Sequence, residues 1–222
     1  MMPTAASPFA AEAAPEIRRE PVVLRPVASR EDWAAVRALR FAALSRCGDI
    51  PACAVPNYGD AYDAAPGART YMLAEGGRAI GSTRCMHSRG EGDARLPALE
   101  AFRGELDAAI AAAPIVEASL TLLDAPMDRA LAQLRLFRVH MTACAALEAE
   151  WLLAAVRETE MGFYRRVFGM EILTGAARWT GLELPRVLMG LPFRERAPAL
   201  CRRLPVLAPG ATDVQRFRAG EA

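Results

Sequence analysis

A chain of 222 residues with a formal net charge of +1 can bury one full core, and it lacks the concentrated basic balance that nucleic-acid binding needs. Hydrophobic residues make up 53% and charged residues 24%, the balance of a soluble globular protein, and no uninterrupted apolar run reaches the length of a membrane span. All 27 basic residues are arginine, which excludes a lysine Schiff base or a phosphate-loop lysine and, with the abundant alanine, points to a GC-rich bacterial genome. The five cysteines (Cys47, Cys53, Cys85, Cys144, Cys201) form no C-x-x-C pair, and the opening M-M-P-T-A-A-S-P-F has neither a basic nor an apolar leader segment. Reduced thiols in a cytoplasmic protein are the expectation.

Residues 1–20 are rich in Ala, Pro and Glu and read as a flexible lead. Pro21–Val27 reads as a first strand. Ser29 then offers an N-cap, with Asp32 three residues on, for a helix whose Trp33, Val36, Arg40 and Ala43/Leu44 share one face. Gly48–Gly67 is a long Pro/Gly-rich connection of the kind that serves as a lid or binding segment. Thr70–Ala74 and Ala79–His87 flank Glu75-Gly76-Gly77-Arg78, a tight-hairpin signal. Leu96–Ala113 reads as a helix, Ile115–Leu123 as a central strand, Pro126–Glu150 as a long amphipathic helix and Trp151–Val156 as a buried strand. A short helix through Phe163 and Tyr164 should stop at Gly169 in the left-handed conformation. Met170–Leu173, Ala177–Thr180 and Arg186–Leu191 close the sheet, and from Pro192 the chain reads as a Pro/Arg-rich tail to residue 222. The order describes an α/β (α+β) domain over residues 21–191: one mixed sheet with helices on both faces and no internal repeat.

Several stretches together carry a likeness. F-Y-R-R-V-F-G-M (Phe163–Met170) follows the fifth strand; D-A-Y-D (Asp60–Asp63), T-Y-M-L-A-E-G-G-R-A-I-G-S-T-R (Thr70–Arg84) and V-E-A-S (Val116–Ser119) precede it. In order and spacing the chain resembles the GNAT acyltransferase superfamily, and within it the N-acyl amino acid synthases (FeeM type) and the acyl-homoserine lactone synthases. The resemblance implies a mostly antiparallel sheet whose strands splay to form an acyl-donor cleft. It implies transfer of a fatty acyl group from acyl carrier protein, or acyl-CoA, to a small amino-acid-like amine, with no bound cofactor. Two departures stand out. Leu120 replaces the arginine that lactone synthases carry after E-x-S, which disfavours an autoinducer synthase using S-adenosylmethionine. Residues 123–134 read L-D-A-P-M-D-R-A-L-A-Q-L, without the glycines that cradle a CoA diphosphate, and Asp124 and Asp128 would repel it.

The residues that carry chemistry are few. Arg84 shares a strand face with Ile80, Ser82 and Met86, and Arg40 a helix face with Trp33 and Val36. A buried arginine must pair with a carboxylate or bind an anion. Glu117, inside the most apolar strand, is either the structural partner of Arg84 or a raised-pKa general base for the acceptor amine, directly or through water. Asp60 and Asp63 are turn-formers, or hold the acceptor's amino group, or clamp the lid through Arg40 and Arg84. Ser119 completes the substrate-binding set. Tyr164 takes the position that, by resemblance, protonates the leaving thiolate; its other reading is core packing. Arg135, Arg138, Arg165, Arg166 and the arginines from Arg194 to Arg218 are solvated charge or a docking face for an acidic carrier protein. With only His87 and His140, no metal site is expected. An enzyme should join Glu117 to the splay by a continuous pocket; a silent binding module of the same fold should fill that space.

Overall fold

The computed structural model describes residues 21–51, 55–90, 95–124, 129–179 and 181–220; the expected N-terminal lead, Cys53, Asp128, Thr180 and the start of the long helix at Pro126 lie outside them. Seven strands form one sheet: β1 (Val22–Pro26), β2 (Arg69–Glu75), β3 (Arg78–Ser88), β4 (Ile115–Leu123), β5 (Trp151–Val156), β6 (Glu171–Ala177) and β7 (Arg186–Pro192), in the order β1-β2-β3-β4-β5-β7-β6. Every pairing is antiparallel except β4 with β5. Helix α1 (Arg30–Arg46) covers one face at β3 and β4, and α2 (Pro97–Ala101) packs on that side near β5. Helix α4 (Arg129–Leu147) covers the other face.

Local chemistry explains these elements. The Ser29 hydroxyl accepts from the Asp32 amide at 3.0 Å and the Asp32 carboxylate accepts from the Ser29 amide, the capping box expected at the start of α1. The β2–β3 turn runs through Gly76 and Gly77 with φ of +55° and +80°, a conformation glycine adopts without steric cost. On the α4 side the core is aromatic: Phe137 stacks on Phe168 with centroids 3.6 Å apart, and Tyr164 meets both edge-on. Helix α5 (Glu158–Phe163) widens into a π-helical turn at Tyr164–Phe168 and stops at Gly169, φ +69°, as expected.

Three expectations are corrected. The single helix over Leu96–Ala113 is two short ones, α2 and α3 (Ala108–Ala112), because Gly104 adopts φ +95° between them and Asp107 caps a new start. Two strands expected after Gly169 are one, β6, carrying a register shift between Ile172 and Ala176; Trp179 beyond it is buried. The tail after Pro192 is structured. Helices α6 (Phe193–Arg203) and α7 (Ala211–Ala219) bury Leu200, Leu207 and Phe217 in the core that contains α4. Its arginines bind the body: Arg218 Nε donates to the Ala146 carbonyl at 2.8 Å, while Arg69 donates to the Phe217 carbonyl at 2.6 Å and lies over the Phe217 ring at 4.1 Å.

Phe217, only 2% exposed, is therefore a core residue 5 positions from the C-terminus. Phe217→Ala should lower the unfolding free energy by about 3–5 kcal/mol in urea denaturation. A loss under about 1 kcal/mol would mean the C-terminal helices do not hold the core.

Candidate active site

Strand β4 pairs with β5 only from Ile115↔Trp151 to Ala118↔Ala154. Beyond Ala118 the two strands part, and residues 119–122 face 155–156 across a cleft. A bulge accompanies the parting: Ser82 pairs with Leu122 and Arg84 with Ser119, so Thr83 opposes two residues, and Leu120 adopts φ +48°. A leucine in the left-handed region costs on the order of 1–3 kcal/mol, so the surrounding structure must impose it. Thr83 Oγ1 lies 2.7 Å from Thr121 Oγ1 and 2.8 Å from His140 Nε2, tying the bulge to α4. The cleft holds about 60 Å³, room for only a few waters, so a thioester entering it must spread it. A larger cavity of about 1060 Å³ opens between α2 and the Gly67 and Gly90 turns, but none of the residues expected to act lines it.

On the α1 side of β4 stands a network of two arginines and two aspartates. Arg40 donates to both Asp63 oxygens at 2.8 Å; Arg84 donates to both Asp60 oxygens, to Asp63 Oδ1 at 3.1 Å and, through Nε, to Ser119 Oγ at 3.1 Å. Asp60 also caps the short turn Ala61–Ala64, accepting from the Tyr62 amide, and the Tyr62 ring faces Arg84 at 5.5 Å. Both guanidiniums are fully buried. The four charges cancel, and each of the four carboxylate oxygens is bonded to a guanidinium. The geometry is that of a clamp: α1, the long connection and the sheet are joined by one ionic knot.

Glu117 lies on the same face, two residues before Ser119, and is fully buried. Its Oε2 accepts from the Ala98 amide at 2.9 Å; Oε1 has no partner among the described residues. Of the two readings of Glu117, the ion pair with Arg84 does not form, because Arg84 is committed to Asp60, Asp63 and Ser119. Burial pushes the Glu117 carboxyl up to about 7, against the Ala98 hydrogen bond and the charge of Arg84. Glu117 does not itself line the cleft, whereas Ser119 does. The continuous pocket expected to join Glu117 to the splay is therefore not present: the cleft reaches Ser119 and stops short of Glu117.

Tyr164 lines the cleft from the α4 side, and its hydroxyl accepts from Gln133 Nε2 at 3.4 Å. Burial raises its pKa well above that of an ordinary phenol, so it stays protonated. The structure joins Arg40, Asp60, Asp63, Arg84 and Ser119 in one hydrogen-bonded network, but of the residues expected to act only Ser119 and Tyr164 line the cleft. Sequence reasoning missed the polar rim of the cleft: Asp49, Arg157, Glu160 and Arg186. One signal for Asp49 was present. Gly48, φ +73°, ends α1 with the Gly48 amide on the Ser45 carbonyl and the Asp49 amide on the Leu44 carbonyl, a Schellman stop readable from C-G-D. Asp124 was expected to repel a diphosphate; instead it accepts from Arg78 at 2.7 Å and Arg46 at 3.2 Å, which offset its charge. Among the described residues no group of metal-ligating side chains could hold an ion, and no helix is long and apolar enough to cross a membrane.

A sheet split beside a bulged central strand is the feature that the resemblance to acyltransferases implied, and comparison with known proteins specifies the family. The family described as N-acyl amino acid synthase FeeM matches residues 35–192, and the chain belongs to that family of N-acyltransferases. Among solved structures, FeeM from uncultured soil microbes superposes with a TM-score of 0.64 at 17% identity, covering 79% of this chain and 92% of that one. LasI, an acyl-homoserine lactone synthase, gives 0.57 at 13% identity over 77% and 90% of the two chains. BjaI, a CoA-dependent acyl-homoserine lactone synthase solved with SAM and isopentyl-CoA, gives 0.53 at 16% over 89% and 98%. At these identities the structural likenesses are of fold. No curated protein sequence matches the chain.

Two outcomes follow from the burial. Asp63→Ala leaves Arg40 buried without its main anionic partner and should cost about 3–5 kcal/mol in urea unfolding; near-native stability would mean the knot does not hold the long connection. The second concerns pH. The unfolded chain ionises Glu117 near 4.5 and the folded chain near 7, so across that window the folded state holds the extra proton. This residue's contribution to stability therefore falls as pH rises from 4.5 to about 7 and is constant above. The unfolding free energy of the native protein minus that of Glu117→Gln should decline over the same window; a flat difference would show an unshifted carboxyl.

Proposed function

We propose that the chain transfers a fatty acyl group from a phosphopantetheine thioester to the amino group of a small amino-acid-like acceptor, with acyl carrier protein as the preferred donor and acyl-CoA as the lesser one. The observation that carries this reading is the split between β4 and β5 at the Leu120 bulge. Unpaired strand edges there supply backbone N–H groups where a thioester oxygen would gain charge. No glycine falls between Gly104 and Gly162, so the loop that would cradle a CoA diphosphate lacks its usual residues, which supports a carrier-borne donor.

The chemistry balances on the residues present. The acceptor ammonium loses one proton, through water, to Glu117, whose raised pKa suits a base working near neutrality. The free amine attacks the thioester carbon, the C–S bond breaks, and the thiolate takes a proton from Tyr164. The second proton of the new amide nitrogen restores the phenol. Products are an N-acyl amino acid, a free pantetheine thiol and one proton released to solvent from Glu117. Asp60, Asp63, Arg40 and Arg84 hold the long connection against the sheet, and the proton relay to Glu117 requires a water to enter beside Ser119, the β4 residue nearest Glu117 that lines the cleft.

Incubation with lauroyl-acyl carrier protein or lauroyl-CoA and an equimolar pool of the standard amino acids, followed by mass spectrometry, should yield an N-lauroyl amino acid. Turnover with the carrier protein should exceed that with CoA at equal concentration. Absence of any N-acyl product with either donor would overturn the reading. Glu117→Gln should lower turnover by roughly 10²–10⁴-fold and remove the acid limb of the pH profile near 7; a folded, fully active variant would remove Glu117 from the mechanism.

A further inference from the structure

An acceptor amine needs a carboxylate with a free oxygen beside the reaction centre. The Asp60–Asp63 pair offers no oxygen free of a guanidinium, because all four accept from Arg40 or Arg84 and their charge is already balanced. Asp49 has one. It is 2% exposed and lines the cleft with Ser119, Leu120 and Tyr164. Its Oδ2 accepts from Arg186 Nη2 at 2.8 Å, while its buried Oδ1 has no hydrogen-bond partner among the described residues. An unsatisfied buried carboxylate oxygen is unfavourable, and a bound ammonium would satisfy it.

The surroundings fix this carboxylate. The Schellman stop at Gly48 sets the backbone of Asp49, and its carbonyl accepts from the Glu183 amide at 2.8 Å, joining the end of α1 to the segment before β7. The position after such a glycine commonly makes an apolar contact; here it carries a charge. Arg186 is held in turn by the Leu184 and Pro185 carbonyls. Arg157 stands next to the carboxylate, its Nη1 3.9 Å away and outside hydrogen-bond reach, with Nη2 on Glu160. A free carboxylate oxygen next to a guanidinium with spare donors matches both ends of an amino-acid zwitterion.

Resting on the acyl-transfer reading above, we propose that Asp49 receives the acceptor's amino group and Arg157 its carboxylate, placing the nitrogen on the open side of the Leu120 bulge. The acceptor class is an α-amino acid with both groups free. Acyl chain and donor take no part in this contact.

The test uses the full chain and the amino acid most consumed from the equimolar pool with lauroyl-carrier protein. Asp49→Asn, and the double variant Asp49→Asn/Arg186→Gln that leaves no unpaired buried charge, should raise KM for that amino acid by about 10–100-fold, the scale of a lost hydrogen bond to a charged group. KM for the donor should stay within about twofold. Arg157→Gln should erase the native preference for the amino acid over its methyl ester. On the native protein, which needs no variant to fold, the corresponding 2-hydroxy acid should compete poorly. A double variant with native acceptor KM, or a 2-hydroxy acid that competes as well as the amino acid binds, would make Asp49–Arg186 a structural tether and overturn the proposal. If the native protein forms no N-acyl amino acid, the acyl-transfer reading falls and this one with it; product from the native protein with unchanged KM in the variants sinks this inference alone.

Discussion

A strand in mid-sheet cannot keep both neighbours in register across an inserted residue. That constraint, at Leu120, organises the site. The extra residue keeps β4 paired with β3 on one edge, and pairing with β5 ends two residues earlier, at Ala118. The backbone groups released there are the only ones in a buried parallel pair that can turn to a ligand without breaking the ladder. Leucine has no side-chain means of easing a positive φ, so its neighbours hold the bulge open: Thr83 and Thr121 across the ladder, and His140 from α4. Burial holds that histidine neutral, with its pKa lowered to about 3, which suits a fixed hydrogen-bond partner rather than a titrating group.

The two faces of β4 serve different ends. On the α4 side lies a dry aromatic core with Tyr164 at its edge. On the α1 side the sheet buries two arginines and a glutamate, with two half-buried aspartates over them. The four-charge knot is tolerable because its charges cancel and its hydrogen bonds are shared; such a knot specifies geometry more than it adds net stability. Glu117 stands outside that exchange. With one backbone donor and no ion pair, it answers burial by becoming a weaker acid. A neutralised clamp and a lone, pKa-shifted carboxyl thus stand on the same face of the sheet.

Much of this was legible in order along the chain. Ser29 and Asp32, the Gly76-Gly77 turn, the left-handed stop at Gly169 and the strands that carry Arg84, Glu117 and Ser119 are local patterns, and local patterns survive translation into structure. The pairing of Asp63 with Arg40 and of Asp60 with Arg84 was open as one of several alternatives. What failed, failed for identifiable reasons. Gly104 divided a helix that composition alone would continue. The arginines and prolines after Pro192 masked two helices whose burial rests on few apolar residues, chiefly Leu200, Leu207 and Phe217. Of the two readings of Glu117, the one that paired it with Arg84 fell because the aspartates took that guanidinium's donors.

By itself the sequence determined most of the element order from β1 to β7 and the identity of the charged residues that cannot stand alone in a core, while the split sheet was implied by the family resemblance. Periodicity, capping and turn chemistry are short-range, and a buried charge demands a partner wherever it lies. Only the tertiary structure decided which partner each charge took, that Leu120 carries the bulge, and that Asp49 and Arg186, 137 positions apart, meet at the cleft with one carboxylate oxygen left free. Those outcomes depend on which groups compete for the same donors in three dimensions, a competition with no counterpart in spacing along the chain.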